Sequence, residues 1–162
     1  MSRLDSFIRR LSAQRDILNH VHGDLDLPAE GPIMEIGLGN GRTFNHLREL
    51  FPDRRIVAFD RAMGAHASSV PEEGNLVLGE IDQTAKEWVG IGAALVHADI
   101  GTGYDEKDAV TLTWLPQIVS GMLAKGGIAI SGLPLTEPSL DPLSVPDTVP
   151  TDRYFLYRKV KC

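Results

Sequence analysis

Five short apolar segments recur through the chain and constrain its fold more than any other feature. They lie at residues 32–36, 55–59, 75–78, 93–98 and 127–130. Each is continuously hydrophobic, which is typical of strands that are buried on both faces of a parallel sheet. Segments with helical spacing lie between several of them, at residues 42–50, 82–90 and 106–123. The pattern predicts an α/β protein, with a kink or break near Pro116 in the last of these helices.

The two ends of the chain follow other patterns. Residues 3–21 have the period of an amphipathic helix that ends near Gly23. Five prolines recur every four residues in the segment 132–152 and exclude a helix there. We expect an extended surface loop, with a lid or a dimer arm as the alternative. Residues 153–161 predict a final strand, antiparallel to the strand at 127–131 because no crossover helix separates the two.

Length and charge limit the organisation and the partners. With 162 residues and 43% hydrophobic residues, the chain fits a single domain over residues 1–162, in which residues 1–23 form the N-terminal helix. The net charge is +2 over residues 1–22, −12 over residues 23–152 and +4 over residues 153–162. An acidic body disfavours a nucleic-acid substrate and suits a small or cationic partner, although the basic ends leave nucleic acid open.

Cysteine content and hydropathy restrict the class further. The single Cys162 excludes an intramolecular disulfide and a multi-cysteine metal site. Arginines interrupt the first helical pattern, so neither a signal peptide nor a membrane span is expected. We therefore expect a cytoplasmic protein without a membrane partner.

The clearest chemical signal is a glycine-rich turn between a strand and a helix. Residues 33–43 read IMEIGLGNGRT, with glycine at positions 37, 39 and 41. Glycines permit positive φ values and close approach of a ligand to the backbone, and amides at a helix N-terminus attract polar ligand groups. Arg42 stands where a dinucleotide fingerprint needs glycine, and Glu35 interrupts the apolar strand. The nucleoside triphosphate loop G-x-x-x-x-G-K-[ST] does not occur.

Glu35 followed by Gly37, Gly39 and Gly41 resembles the first motif of class I S-adenosylmethionine-dependent methyltransferases. The resemblance extends over residues 33–131, because four successive strand ends agree in order. It implies a three-layer, Rossmann-like, doubly wound sheet with S-adenosyl-L-methionine as cofactor. The turn residues Leu38, Asn40 and Arg42 would then line the cofactor site together with Glu35 and the three glycines.

The later strand ends carry the remaining cofactor residues that the resemblance implies. Asp60 ends the second strand and would accept from the ribose hydroxyls, with Arg61 beside it. Glu80 would accept from the adenine amino group, and the Ile81 N–H would donate to a ring nitrogen. Asp99 ends the fourth strand, next to the transferred methyl group. Each acid also has a structural alternative: Asp60 as a solvated strand-end acid, Glu80 as an ordinary loop acid, and Asp99 as a cap that accepts from backbone N–H groups of its own turn.

Asp99 and His97 are the candidates for a catalytic base. We expect His97 to point away from Asp99, so a packed histidine with a hydrogen bond is the alternative for it. Arg15 and Arg42 are candidates for pairing with the methionyl carboxylate, or else belong to a solvated face. The fifth strand ends in Ser131 without an acid, so no metal site of the catechol type is expected.

The sequence thus predicts a small methyltransferase that acts on a small-molecule acceptor. Two alternatives stay open: a non-catalytic regulatory protein on the same fold, and an NAD(P)-binding oxidoreductase. The residues after the fifth strand leave room for only one further strand, so we expect a sheet with a trimmed edge. A homo-oligomer is also expected, since a partner could close the site with its proline-rich segment.

Overall fold

The computed structural model describes residues 1–161, which form a seven-stranded sheet between two layers of helices. The strands are β1 (Ile33–Ile36), β2 (Ile56–Asp60), β3 (Leu76–Leu78), β4 (Ala93–Ala98), β5 (Leu123–Ser131), β6 (Leu140–Leu143) and β7 (Phe155–Lys159). The helices are α1 (Arg3–Asp24), α2 (Arg42–Leu50), α3 (Ile81–Thr84), α4 (Asp105–Leu112) and α5 (Leu115–Met122), with 3₁₀ turns at Ala67–Ser69 and Ala85–Trp88. Cys162 lies outside the described residues, so the structure does not test the conclusions drawn from it.

The strand order is β3-β2-β1-β4-β5-β7-β6. Strands β1 to β5 are parallel, and β7 is antiparallel to both of its neighbours. This confirms the doubly wound α/β fold and the antiparallel last strand. The strand order reverses between β1 and β4, so the chain leaves these two strands in opposite directions and opens a crevice at their carboxyl ends.

The sheet has an apolar core on each face. One face packs against α5 and includes Phe59, Val96 and Met122. The other packs against α1 and α2 and includes Ile17, Leu47 and Leu95. Alternation along the strands places Glu35 and His97 on this second face, side by side in neighbouring strands.

Local sequence explains where the helices begin and end. Ser2 caps α1 by accepting from the Asp5 amide at 3.0 Å, and the Asp5 carboxylate accepts in return from the Ser2 amide at 3.1 Å. The predicted break near Pro116 is confirmed, because α4 and α5 are separate and Pro116 lies in the first turn of α5. Helix α5 ends at Met122, earlier than the expected stop at the glycine pair 126–127. Among residues 1–161, no helix combines the length and the hydrophobicity that crossing a membrane requires.

The proline-rich segment contradicts one prediction. It contains the edge strand β6, which pairs with β7, so the sheet is not trimmed to six strands. Pro142 lies within β6, where the outer side of an edge strand needs no N–H donor. Leu135, Leu140 and Val149 of this segment are buried. The segment packs against its own sheet. Turns and extended chain at residues 132–139 connect β5 to β6, in the place where a crossover helix would otherwise lie.

Candidate active site

Three glycines shape the turn after β1. Gly37, Gly39 and Gly41 have φ values of 91°, 55° and 86°, a region that side-chain-bearing residues rarely adopt. A Cβ on Gly37 would lie 2.5 Å from Cγ2 of Ile100, and one on Gly41 would lie 2.5 Å from Cβ of Ser69. A Cβ on Gly39 would have no atom within 4 Å. Packing therefore requires Gly37 and Gly41, whereas Gly39 leaves open space beside the turn.

Most amides of this turn are used within the protein. The amides of residues 37 and 38 both donate to the carbonyl of Phe59, at 2.9 and 3.0 Å. The Gly39 amide donates to Oδ2 of Asp60 at 2.7 Å, and the amides of residues 41 and 42 also find acceptors within the turn. The expectation that these amides face a ligand does not hold for them. Of the three glycines, only Gly39, beside which no atom lies within 4 Å of an added Cβ, leaves the backbone open to the approach of a ligand.

Glu35 and His97 form a buried pair beneath the turn. Both are 0% exposed, and His97 Nδ1 lies 2.5 Å from Oε1 of Glu35. Oε2 of Glu35 accepts from the Thr43 hydroxyl at 3.0 Å, which ties β1 to the first turn of α2. Burial lowers the pKa of His97, but the charge and hydrogen bond of Glu35, together with the charge of Asp99, raise it above its ordinary value overall.

The position of His97 differs from the sequence expectation. His97 and Asp99 lie on the same side of the sheet, because residues two apart in a strand share a face. His97 Nε2 is buried, and it is the one buried side-chain nitrogen or oxygen atom within residues 1–161 that has no hydrogen-bond partner. A fully buried imidazole has no surface with which to touch an acceptor, so the contacts of His97 support Glu35.

The ends of β2 and β3 bring two acids together. Oδ2 of Asp60 accepts from the Gly39 amide and Oδ1 from the Arg61 amide, each at 2.7 Å. Each oxygen keeps a second position for accepting a hydrogen bond, because a carboxylate has about four such positions, two on each oxygen. Glu80 Oε1 lies 3.3 Å from Nε of Arg61, and both of these side chains are exposed. Ile81 is partly buried at the start of α3.

Asp99 receives two hydrogen bonds that the sequence analysis did not foresee. Its Oδ2 accepts from Gln14 Nε2 at 2.6 Å and from the Tyr154 hydroxyl at 2.8 Å. Gln14 belongs to α1, and Tyr154 directly precedes β7. Both ends of the chain therefore meet at the end of β4, and they hold this carboxylate in one orientation.

Two cavities adjoin Asp99. The first, which we call the turn cavity, has a volume of about 280 Å³ and is lined by Arg10, Leu11, Gln14, Gly37, Leu38, Gly39, Asn40, Arg42, Thr43 and Asp99. The second, the outer cavity, has a volume of about 310 Å³ and is lined by Arg10, Asp99, Gly101, Thr102, Gly103, Asp108, Gly132, Leu133, Asp152, Arg153 and Tyr154. Only Arg10 and Asp99 line both cavities, so Asp99 lies at their junction.

Arginines at the turn cavity differ in part from those predicted. The guanidinium carbons of Arg10 and Arg42 lie 5.4 and 5.8 Å from the ring centroid of Phe7, within the range of a cation–π contact. Arg15 pairs with Asp16 at 2.9 Å and does not line the cavity. Arg10 therefore lies where Arg15 was expected. Its spacing of four residues from Gln14, on one helix face, was the available signal.

The comparisons with known proteins agree with this geometry. A family model described as S-adenosyl-L-methionine methyltransferase matches residues 1–159. The chain belongs to this methyltransferase family. A search of curated proteins gave no match.

One solved structure supports the family assignment, and two more distant ones share the fold. An S-adenosyl-L-methionine methyl transferase from Silicibacter pomeroyi DSS-3 is 36% identical, with a TM-score of 0.85 over 98% of this chain and 99% of that one. The N-methyltransferase NodS from Bradyrhizobium japonicum WM9 is 14% identical, with a TM-score of 0.59 over 99% of both chains. A 16S rRNA (adenine(1408)-N(1))-methyltransferase from Catenulisporales acidiphilia is 14% identical, with a TM-score of 0.53 over 99% of this chain and 92% of that one.

The chain is thus an enzyme that uses S-adenosyl-L-methionine, and the alternatives of a nicotinamide-binding oxidoreductase and a non-catalytic protein are set aside. The described residues fit this cofactor. Gly39 leaves the backbone approachable, and the carboxylates of Asp60, Glu80 and Asp99 lie at or just after the ends of β2, β3 and β4. Within residues 1–161, no group of three or more His, Asp or Glu side chains is arranged to hold a metal ion.

Proposed function

We propose that the chain transfers the methyl group of S-adenosyl-L-methionine to a small-molecule acceptor. In this proposal the methionyl part of the cofactor lies in the turn cavity, and the acceptor lies in the outer cavity. One observation carries the proposal: Asp99 lines both cavities at their junction. A nucleophile in the outer cavity would therefore stand next to a methyl group in the turn cavity.

The cofactor contacts follow the strand ends. Asp60 would accept from the ribose hydroxyls through the acceptor positions that its two amide hydrogen bonds leave free. Glu80 and the Ile81 N–H would bind the adenine edge. Arg42 would pair with the methionyl carboxylate, because guanidinium groups match carboxylates well. Leu38, Asn40 and the glycines would form the wall beside the methionyl chain.

The protein's own part in the reaction is to hold the cofactor and to orient the acceptor toward the methyl group. The bound cofactor supplies a methyl group on a positively charged sulfur, which is already a good leaving group. Gln14 and Tyr154 fix the Asp99 carboxylate beside the junction of the cavities. Asp99 orients the acceptor and accepts its proton, while α1 covers the turn cavity and limits the access of water. Glu35 and His97 act from below, by holding Thr43 and the turn.

One observation favours RNA as a second candidate acceptor. Arg9, Arg10 and Arg153 line a further cavity of about 300 Å³ beside the outer cavity, so the basic ends of the chain meet at the site. The net charge of −6 opposes such an acceptor, because a face that binds nucleic acid must neutralise many phosphates.

Transfer of a labelled methyl group tests the acceptor class. The purified protein is incubated with S-adenosyl-L-methionine labelled in the methyl group and with a metabolite extract, total RNA or total protein. We expect label in small molecules and none in the other two fractions, and an Asp99→Ala variant that leaves the extract unlabelled. Label in RNA would overturn the small-molecule proposal in favour of the second candidate.

Two further expectations are also proposals. Cytoplasmic location is tested by cell fractionation. Self-association is tested by light scattering on the intact chain and on a chain without residues 133–151. Leu135, Leu140 and Val149 of that segment are buried against their own sheet, so an interface there would use only its exposed residues.

A further inference from the structure

The outer cavity contains charges of both signs. Asp99, Asp108 and Asp152 supply the acids, and Arg10 and Arg153 supply the bases. Asp108 is already engaged, because it accepts from the Thr102 amide and hydroxyl at 2.7 and 2.8 Å. It holds the loop after β4 and is not free for a ligand. The carboxylate that faces the junction of the cavities is therefore Asp99.

The geometry of Asp99 leaves one oxygen for an acceptor. Both recorded hydrogen bonds end on Oδ2, from Gln14 and Tyr154. Oδ1 lies against Gly132, where an added Cβ would come within 2.7 Å of it. Gly132 lines the outer cavity, so Oδ1 lies at the wall of that cavity. A side chain at position 132 would displace the carboxylate.

Tyr154 does not compete with Asp99 for a proton. Burial raises the pKa of the Tyr154 hydroxyl, and the charge and hydrogen bond of Asp99 raise it further. Tyr154 therefore stays protonated and acts as a donor. Its role is to position Asp99, since it holds Oδ2 and leaves Oδ1 to the cavity.

The two arginines, Arg10 and Arg153, line the same cavity as this carboxylate, and neither has a partner acid within salt-bridge distance among the described residues. Arg153 is exposed, and Arg10 contacts the Phe7 ring. Their planar guanidinium groups bind carboxylate, phosphate or sulfonate oxygens in pairs. A ligand in the outer cavity thus meets an anion at one end and cations at another.

We infer that the acceptor is a small zwitterion, with an amine that Asp99 holds and an acidic group that Arg10 and Arg153 bind. This inference rests on the proposed function and specifies its substrate class. The amine gives one proton to Asp99, and its freed electron pair forms the N–CH₃ bond. The S–CH₃ bond breaks, sulfur keeps the electron pair, and the proton passes from Asp99 to solvent. The products are the N-methylated acceptor, S-adenosylhomocysteine and one proton.

An acceptor with a single charged group pairs with only one of the two kinds of charge that line the outer cavity. An amine without an acidic group would leave the two guanidinium groups unused. An acid without an amine would place a second anion beside Asp99, which costs free energy because like charges repel. A single small molecule could reach both charges, because they line one cavity of about 310 Å³.

Matched ligands test the charge requirement. The protein is saturated with S-adenosylhomocysteine and titrated with 4-aminobutyrate, butylamine or butyrate, and with glycine and β-alanine as shorter zwitterions. We expect at least one zwitterion to bind about tenfold or more tightly than butylamine and butyrate, a difference of about 1.4 kcal/mol, because only the zwitterion has a partner for each charge of the cavity. Equal binding of butylamine and the zwitterions would overturn the role of the arginines.

Variants assign the two ends of the ligand. Arg153→Gln should remove the preference for the zwitterion over butylamine, and Asp99→Asn should remove the preference over butyrate. Arg9→Gln is the matched control, because Arg9, in α1, is exposed like Arg153 but does not line the outer cavity. Arg153→Gln should leave the affinity for S-adenosylhomocysteine unchanged. If Arg153→Gln and Arg9→Gln affect zwitterion binding equally, the assignment of Arg153 is wrong.

The outcomes separate this inference from the proposed function. A labelled small-molecule product without an acidic group would refute the zwitterion and leave the proposed function intact. Label in RNA would refute the proposed function itself. Tyr154→Phe tests whether Tyr154 positions Asp99. The variant should change the pH profile of methyl transfer and leave the affinity for the cofactor unchanged. If Tyr154 had only a structural role, the pH profile would not change.

Discussion

At the scale of the residue, the Glu35–His97 pair links the pH of the solution to the stability of the glycine turn. The folded protein holds His97 with its pKa raised above its ordinary value of 6.5. The pair therefore stabilises the fold fully below about pH 6.5, and this contribution is lost as the pH rises through the raised value.

A Glu35→Gln variant isolates this contribution. We expect the free energy of unfolding of the wild type to fall, relative to the variant, as the pH increases from about 6.5. Urea denaturation over a pH series measures it. Parallel stability curves for the two proteins would show that His97 does not link the pH to the stability in this range.

Asp60 gives a second test at a single residue. Replacement by Asn keeps one carbonyl acceptor and removes the charge, so we expect binding of S-adenosylhomocysteine to weaken by about 1.5–3 kcal/mol. Titration calorimetry measures the change. Asp53→Asn is the control, because Asp53 is exposed and lies before β2, at the opposite end of the same strand. An unchanged affinity in Asp60→Asn would refute the ribose assignment.

The contacts that the sequence did not reveal are those between residues that lie far apart along the chain. Asp99 is a recognisable strand-end acid, but its partners Gln14 and Tyr154 lie 85 and 55 residues away from it. No local pattern encodes such contacts, because the packing of α1 and β7 creates them. The preference for Arg10 over Arg15 has the same origin, since both look alike on an isolated helix.

At the scale of the element, periodicity located the secondary structure well. Strands β1, β2 and β4 lie within one or two residues of the apolar segments that predict them. Strand β6 was missed because Pro142 and its proline neighbours argue against a strand. Only the position of β6 at the sheet edge makes a proline acceptable there, and an edge position depends on the whole sheet.

Helix α1 offers a paired test of its packed and exposed faces. Ile17 is 0% exposed and contributes to the core, whereas Ile8 of the same helix is 52% exposed. Ile17→Ala should lower the free energy of unfolding by about 2–5 kcal/mol, since it leaves a cavity. Ile8→Ala should change it by less than about 0.5 kcal/mol. Urea denaturation of both variants measures the difference, and equal losses would mean that α1 does not pack as described.

At the scale of the molecule, the distribution of charge decides which partners approach the site. The basic ends meet near Arg9 and Arg153, but the chain as a whole carries a net charge of −6. Binding to RNA depends on the number of phosphates that the protein neutralises, and most of the surface repels them. The local arginines suit one or two acidic groups of a small ligand better than a polyanion.

Fluorescence anisotropy with a labelled RNA hairpin tests this balance. At about 0.15 M salt we expect a dissociation constant weaker than about 100 μM. Asp152→Arg shows the sensitivity of the assay, because it adds positive charge beside the outer cavity and should produce measurable binding that weakens steeply with salt. Tight, saturable binding by the wild type would mean that local charge at the site outweighs the net charge of the molecule, and RNA would then become the favoured acceptor.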